Sequence, residues 1–204
     1  MKNQASLKAP SKSLIRLRQS ARTLFVNQGY HDTRPQDIAR HADCANGTFY
    51  MYFKDKKAAY LDFAEQAQSE LIAKLEADLA AVNTSISRWR VVLTCIIHFG
   101  HANPGLLSAA FLDPITIAPD DEKAQRLSHR LGNLVEMVLK SDAVQSAQTY
   151  HLELISHGIC GMLRHAMIYS NQHHIPINKL IDDLCFFIEG GFGLHSTENN
   201  SNKH

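Results

Sequence analysis

Cysteine is scarce and scattered in this 204-residue chain: Cys44, Cys95, Cys160 and Cys185 form no C-x-x-C pair. That spacing excludes a disulfide framework and points to reduced thiols in a cytoplasmic protein. Long apolar runs are also missing. The best, Val91 to Phe99, falls far below the ~20 residues that cross a bilayer, and the N-terminal lysines Lys2 and Lys8 precede no apolar leader segment. No stretch alternates apolar and polar residues in the manner of a strand, so the expectation is an all-α fold. Catalytic spacing is absent as well: there is no nucleophile beside a base, no paired carboxylates and no phosphate-cradling glycine loop. Asp120-Asp121-Glu122 stands at a helix start, where acids suit the dipole. Neither an enzyme nor a cofactor is expected.

What is present is enough apolar content, 45%, to bury a core. The net charge of +1 conceals an asymmetry, because residues 1–57 hold 11 Lys+Arg against 4 Asp+Glu and the remainder 10 against 16. A basic N-terminal part calls for a polyanionic partner. That part also carries two short helical patterns separated by a tight turn. Thr33 with Gln36 has the spacing of a capping box and Pro35 suits a first helical turn; Ile38, Ala39 and Ala42 then form a small apolar face. After Asp43 to Asn46 comes an aromatic-rich turn, Phe49, Tyr50, Tyr52 and Phe53. This is a helix-turn-helix layout, and the preceding pattern Leu14, Leu17, Ala21, Leu24, Phe25, starting from Ser11 or Ser13 and stopped by Gly29, supplies its first helix.

Phe25, Gly29, Tyr30, Thr33, Ile38, Ala39, Ala42, Gly47, Thr48, Tyr50, Phe53 and Lys56 stand at the spacing of a known DNA-binding domain. In these residues the chain resembles the tetracycline-repressor (TetR/AcrR) family of bacterial transcriptional regulators, over roughly its first quarter. It departs from the family pattern at Asp43, where a turn glycine is usual, at Ala45, where serine is usual, and at Ala59, where leucine is usual. Asp tolerates the left-handed conformation better than most residues, so the turn is expected to survive. The resemblance implies a homodimeric, ligand-responsive regulator, most often a repressor, that places its second short helix in the major groove.

The sequence divides into a helix-turn-helix domain, 1–57, a helical effector-binding and dimerisation domain, 58–195, and a disordered tail, 196–204, with Met1 to Pro10 as a flexible arm. A long helix with Tyr60, Phe63, Ala67, Leu71, Leu75, Leu79 and Val82 on one stripe joins the two domains. Helices follow around Ile86 to Gly100, Leu106 to Leu112, Ala124 to Val138, Ser146 to Ser170 and Ile177 to Ile188.

On the recognition helix Phe49 and Phe53 should anchor inward while Asn46, Gly47, Thr48, Tyr50 and Met51 face DNA; Asn46 suits adenine, and Thr48 a phosphate or a thymine methyl. Thr33, Arg34, Gln36, Tyr52, Lys54 and Lys56 complete the expected contact set, largely to phosphate. Large apolar and polar groups mix in the C-terminal part, which suggests an apolar effector pocket of Trp89, His98, Phe99, Phe111, Met137, Tyr150, Glu153, His157, Met162 and His165. Gly158 and Gly161 on one helix, with Leu184, Phe187, Ile188 and Gly191 on the last, suggest a dimer interface; either close helix approach or a kink explains the two glycines. Twelve histidines raise a metal-responsive alternative through the i, i+3 pairs Cys95/His98, His98/His101 and His157/Cys160, but no segment supplies three ligands and no metal is expected. A DNA-modifying enzyme that docks through the helix-turn-helix is the other alternative. Operator DNA, a small effector and a second copy of the chain are the expected partners, with no membrane.

Overall fold

A computed structural model describes residues 10–82, 88–103, 105–107, 117–142 and 151–192. The expected N-terminal arm, most of the Leu106 to Leu112 helix, Phe111, Tyr150 and the tail lie outside these residues. Among the described residues the regular elements are helices: α1 Lys12–Asp32, α2 Pro35–His41, α3 Asn46–Tyr52, α4 Lys56–Ala80, α5 Arg88–Ala102, α6 Glu122–Asp142, α7 Leu152–His173 and α8 Ile177–Phe192.

Local chemistry sets most boundaries. Ser11 caps α1, its Oγ accepting from the Leu14 amide at 3.2 Å. Gly29, at φ 77° and ψ 177°, breaks the same helix near its end, in a region open essentially to glycine alone. Asp55 caps α4 by accepting from the Ala58 amide at 2.7 Å. The helix then runs unbroken through a segment rich in Ala, Leu, Glu, Gln and Lys without glycine or proline, the composition with the highest helix propensity. Pro176 precedes α8, and its carbonyl accepts from the Leu180 amide at 3.0 Å.

The capping box expected at Thr33 does not form. Arg34 occupies the cap position of α2 without a side-chain bond, while Thr33 is buried and donates its hydroxyl to the Gly29 carbonyl at 2.7 Å. Closing the glycine break of α1 takes the hydroxyl that a cap would need. Val82 also falls outside α4, whose last helical residue is Ala80.

α4 is the shared wall of the molecule, touching α1 on one side and α5 and α6 on the other. Its stripe Tyr60, Phe63, Ala67, Leu71, Leu75 and Leu79 is buried in one continuous core with residues from every other long helix. Against α1, Phe25 meets the Tyr60 ring edge-on at 5.0 Å and lies 5.8 Å from the Phe63 ring. Alongside, Arg18 makes a two-pronged contact with Asp62, Nε to Oδ2 at 2.9 Å and Nη2 to Oδ1 at 2.8 Å, and Gln66 donates to the same carboxylate at 2.6 Å. Arg22 reaches Glu70 at 2.5 Å. The N-terminal unit therefore holds α4 well past residue 57, the boundary expected from sequence.

Across the other face, Lys57 pairs with Asp121 at 3.3 Å, Lys123 with Glu65 at 2.7 Å, and buried Gln68 donates to the Leu127 carbonyl at 3.0 Å. Asp121 caps α6 by accepting from Lys123 and Ala124 amides. Partial desolvation raises its carboxyl pKa, but those amides and the Lys57 ammonium outweigh it and hold the group below the ordinary carboxylate range. α6 and α7 pack as an extensive pair, and α5 packs on α8, with Arg90 meeting Asp182 at 2.8 Å.

Asp62→Ala strands the partly buried Arg18 guanidinium and is expected to lower unfolding free energy by about 2 kcal/mol, whereas Arg18→Met with Asp62→Leu recovers most of it. Urea unfolding of the two variants measures this; equal losses would show that the ion pair itself contributes the stability.

Candidate nucleic-acid interface

The turn between α2 and α3 is built from backbone bonds. The Cys44 amide donates to the Ala39 carbonyl at 2.9 Å and the Asp43 amide to the Arg40 carbonyl at 3.1 Å, the paired bonds of a Schellman helix end. Such an end requires a left-handed residue, and Asp43 takes φ 50° there, as expected from its sequence position. Its carboxylate reaches toward Arg16 at 3.5 Å.

α3 is seated by Phe49 and Phe53, both buried, whose rings lie 5.4 Å apart. The opposite side is open: Asn46, Gly47, Tyr50 and Tyr52 are exposed, Thr48 is half-buried, and Met51 is 77% exposed. Tyr52 does not hang free, since its hydroxyl meets Ser11 Oγ at 2.6 Å and ties the end of α3 to the start of α1. Beside α3, Arg34 and Gln36 are exposed on α2 and its cap, and Lys54 is exposed after α3. Gln36, Arg40 and Asn46 border one shallow groove between α2 and α3. Arg40 was not among the residues expected from sequence. Its place one turn after Gln36, off the face of Ile38 and Ala39, is the signal that marks it. It is held by an ion pair with Asp37.

Two expected phosphate contacts have other duties. Thr33 is enclosed, as described above. Lys56 donates to the Tyr30 carbonyl at 2.8 Å and the His31 carbonyl at 3.2 Å, and lies 4.3 Å from the centre of the Tyr30 ring. Its ammonium thus closes the end of α1. Arg18, Arg22 and Lys57 are likewise paired within the fold. The basic surplus of the N-terminal part is therefore smaller outside the fold than in the sequence count, with Arg34 and Lys54 making no ion pair among the described residues.

The expected effector residues do not converge. Trp89 is enclosed in the core, His98, Met137, Glu153 and His165 are exposed, Phe99, His157 and Met162 are half-buried, and Phe111 and Tyr150 are outside the described residues. A cavity of about 310 Å³ instead opens among α5, α7 and the start of α8, where Ile97, His101, Met167, Asn171, Ile175 and Leu180 stand in its wall. On α5 its wall uses residues one step from the expected His98 and Phe99, and on α7 it uses residues beyond the expected His165. A one-residue step turns a helix position by about 100°, enough to exchange inward and outward faces. The small residues Gly100 and Ser170 and the α7–α8 corner at Pro176, which complete the wall, were the missed signal.

The expected interface residues also divide. Leu184 and Ile188 are buried within the chain's own core, because α8 turns Leu180, Ile181, Leu184, Cys185 and Ile188 inward as one face. Phe187 and Gly191 remain outside, joined by Phe186; the phenylalanines are 66% and 74% exposed. Gly158 and Gly161 lie in an unbroken α7, and a Cβ at either would meet nothing within 4 Å, so neither serves approach to α8 within the chain.

Of the expected metal pairs, none gathers a third ligand among the described residues. Burial, aided by Asp78, pushes the Cys95 thiol up to about 12, and burial alone does the same for Cys160. Thiols so buried are poor metal ligands.

The sequence pattern of the bacterial regulatory proteins of the tetR family matches residues 17–61, the helix-turn-helix unit with the foot of α4. Residues 17–61 thus form a tetR-type helix-turn-helix domain. Among its relatives is the fatty acid metabolism regulator protein of Bacillus subtilis (strain 168), 27% identical over 71 residues, which are 35% of this chain and 37% of that protein. The match thus spans well under half of that relative. Likeness of fold to solved structures extends over almost the whole chain. The structure of the fatty acid degradation regulator FadR from Bacillus halodurans superposes with a TM-score of 0.71 at 17% identity, covering 87% of this chain and 94% of that one. That of FadR from Bacillus subtilis in complex with stearoyl-CoA gives 0.65 at 16%, covering 83% and 96%.

Asp43→Gly relieves the left-handed strain of a residue with a Cβ and is expected to raise stability by about 1 kcal/mol. Lys56→Ala, by removing two carbonyl contacts of a half-buried ammonium, should lower it by about 1 to 2 kcal/mol, whereas Lys54→Ala should leave it unchanged. Thermal melts of the three variants check both.

Proposed function

We propose that the chain is a homodimeric transcriptional repressor that docks α3 in the major groove of a pseudopalindromic operator and is released by a small apolar effector. The observation that carries this reading is the helix-turn-helix itself, in which α3 is anchored by Phe49 and Phe53 and turns Asn46, Thr48, Tyr50 and Met51 outward. Asn46 and Thr48 are the base readers in this proposal, and Arg34, Gln36, Lys54 and the newly placed Arg40 contact phosphate. Dimerisation falls to the outer faces of α7 and α8, with Gly158, Gly161, Phe186, Phe187 and Gly191 meeting a second copy. Two exposed phenylalanines with bare glycine backbone beside them favour close approach of another apolar surface.

The effector occupies the α5–α7–α8 cavity, whose apolar wall is edged by His101, Asn171 and His174. Acyl-CoA thioesters are the first class to test, since regulators of fatty acid metabolism are among the relatives and one similar fold holds stearoyl-CoA. An effector that fits one arrangement of these helices would tilt α4 and change the separation of the two α3 helices. It can shift the equilibrium only by its differential affinity, so about 1.4 kcal/mol of coupling weakens DNA binding tenfold. The reading of the N-terminal acids as catalytic is disfavoured, because Asp37 pairs with Arg40, Asp43 reaches Arg16 and Asp55 caps α4.

Fluorescence anisotropy on operator DNA selected from random sequence tests the proposal. Half-sites about 34 Å apart or a multiple of this are expected, with log K falling linearly in log salt by about 0.9 per phosphate neutralised. Asn46→Ala or Thr48→Ala should cost roughly 1 to 3 kcal/mol at particular base positions, and Lys54→Ala should weaken all sequences alike. Equal scaling of specific and nonspecific binding by all three would remove Asn46 and Thr48 as readers. Calorimetric titration of acyl-CoA with and without operator should give unequal affinities; equal ones would end the effector mechanism.

A further inference from the structure

Packing of α7 on α6 brings together three groups from distant parts of the sequence. His129 of α6 and His157 of α7 face each other with Nδ1 and Nε2 3.1 Å apart and ring planes at 87°. Glu153, one turn before His157 on the same face of α7, joins them: one ligand atom from each of the three residues lies within 4.8 Å of the others. We propose that His129, Glu153 and His157 form a site for a divalent transition-metal ion of the zinc type, bridging α6 and α7.

The donor set fits such an ion. Two imidazole nitrogens and one carboxylate oxygen are the ligands of borderline cations, and a fourth position open to water completes a tetrahedron. With metal–nitrogen distances of 2.0–2.1 Å the edge of that tetrahedron is about 3.3 Å. The two histidine nitrogens already stand near it. Their contact leaves room for a proton on one nitrogen only, and a cation in its place engages both lone pairs.

The charge around the trio favours a cation. The Glu153 carboxylate makes no hydrogen bond or ion pair among the described residues, so its charge is not neutralised by a neighbour there. The arginines of α6 on either side of His129 are turned elsewhere: Arg126 to Glu122, and Arg130 to the Glu65 carbonyl and Ser69 hydroxyl of α4.

A second, independent feature points to a built site. Gly132 lies one turn after His129, inside a helix where glycine is disfavoured by about 1 kcal/mol against alanine. A Cβ there would stand 2.8 Å from both Cε1 and Nε2 of His157. The missing side chain is what lets the His157 ring seat against the backbone of α6 with its Nε2 toward His129. A helix pair that needed only packing would be better served by alanine.

The site shares only His157 with the metal pairs suggested by sequence, because i, i+3 spacing detects ligands on one helix and these come from two. It also involves none of the cysteines. It adds to the proposed repressor mechanism without depending on it, since metal binding is measurable on the protein without DNA or effector.

Chelator-treated full-length protein titrated with Zn2+ in a calorimeter is expected to bind one ion per chain, with a rise in melting temperature. His129→Gln, Glu153→Gln and His157→Gln should each weaken that binding at least tenfold and abolish the rise. Gly132→Ala should weaken it as well while leaving the helical circular dichroism unchanged, by displacing the His157 ring. The variant His98→Gln, at an exposed position of α5 outside the cavity wall, should bind as the parent does. Retention of binding in the three ligand variants, or its loss in the α5 variant alone, would overturn the assignment and leave surface histidines as the cause.

Discussion

The contact between α1 and α4 is what the remainder of the structure rests on. α1 and the two short helices after it, packed around Leu17, Phe25, Ile38 and Phe49, bury too little to be secure alone, a general limit on units of roughly 50 residues. Tyr60 and Phe63 from α4 complete that core, and the Arg18–Asp62 fork fixes the angle at which they enter. The same side chains that stabilise the N-terminal unit therefore attach it rigidly to the rest. A displacement of α4 carries α1 with it, and α1 carries α3 through the Ser11–Tyr52 contact.

Sequence reasoning reached the helix-turn-helix because its signals are local. Turn geometry, proline placement and apolar spacing each act within a few residues, so Ser11, Gly29, Asp43 and Pro176 could be read one at a time. The core face of α4 was legible for the same reason, through the repeat of buried positions. What failed was anything that depends on helix phase against a distant neighbour. Leu184 and Ile188 share periodicity with Phe187, and only the packing of α8 on α5 decides which side is inward.

The candidate sites show the same division. Thr33 and Lys56 match a pattern of DNA contacts, yet spend their polar groups on the end of α1. Sequence position identified residues that matter there without telling whether they touch DNA or hold the backbone that does. The α5–α7–α8 cavity and the His129, Glu153 and His157 trio were illegible for a stronger reason: each assembles residues separated by an entire helix, and no one-dimensional spacing encodes their approach. Gly132 left a trace in the sequence, a glycine inside a helical stretch, though not its cause.

Gln68 has a mechanical consequence. Its side chain bonds the Leu127 carbonyl from a fully buried position, so sliding α4 along α6 would break that bond where water cannot replace it. Translation is thereby resisted and rotation about the pinned point is the softer motion. From Lys56 to Gln68 and from Gln68 to Ala80 the helix runs equal lengths, about 18 Å each at 1.5 Å per residue. α4 is then a see-saw with its fulcrum at mid-length: its two ends move in opposite directions by the same amount, with no gain between them. Any amplification of a small rearrangement in the C-terminal helices must come from beyond the foot of α4, in the reach from that pivoting end out to α3.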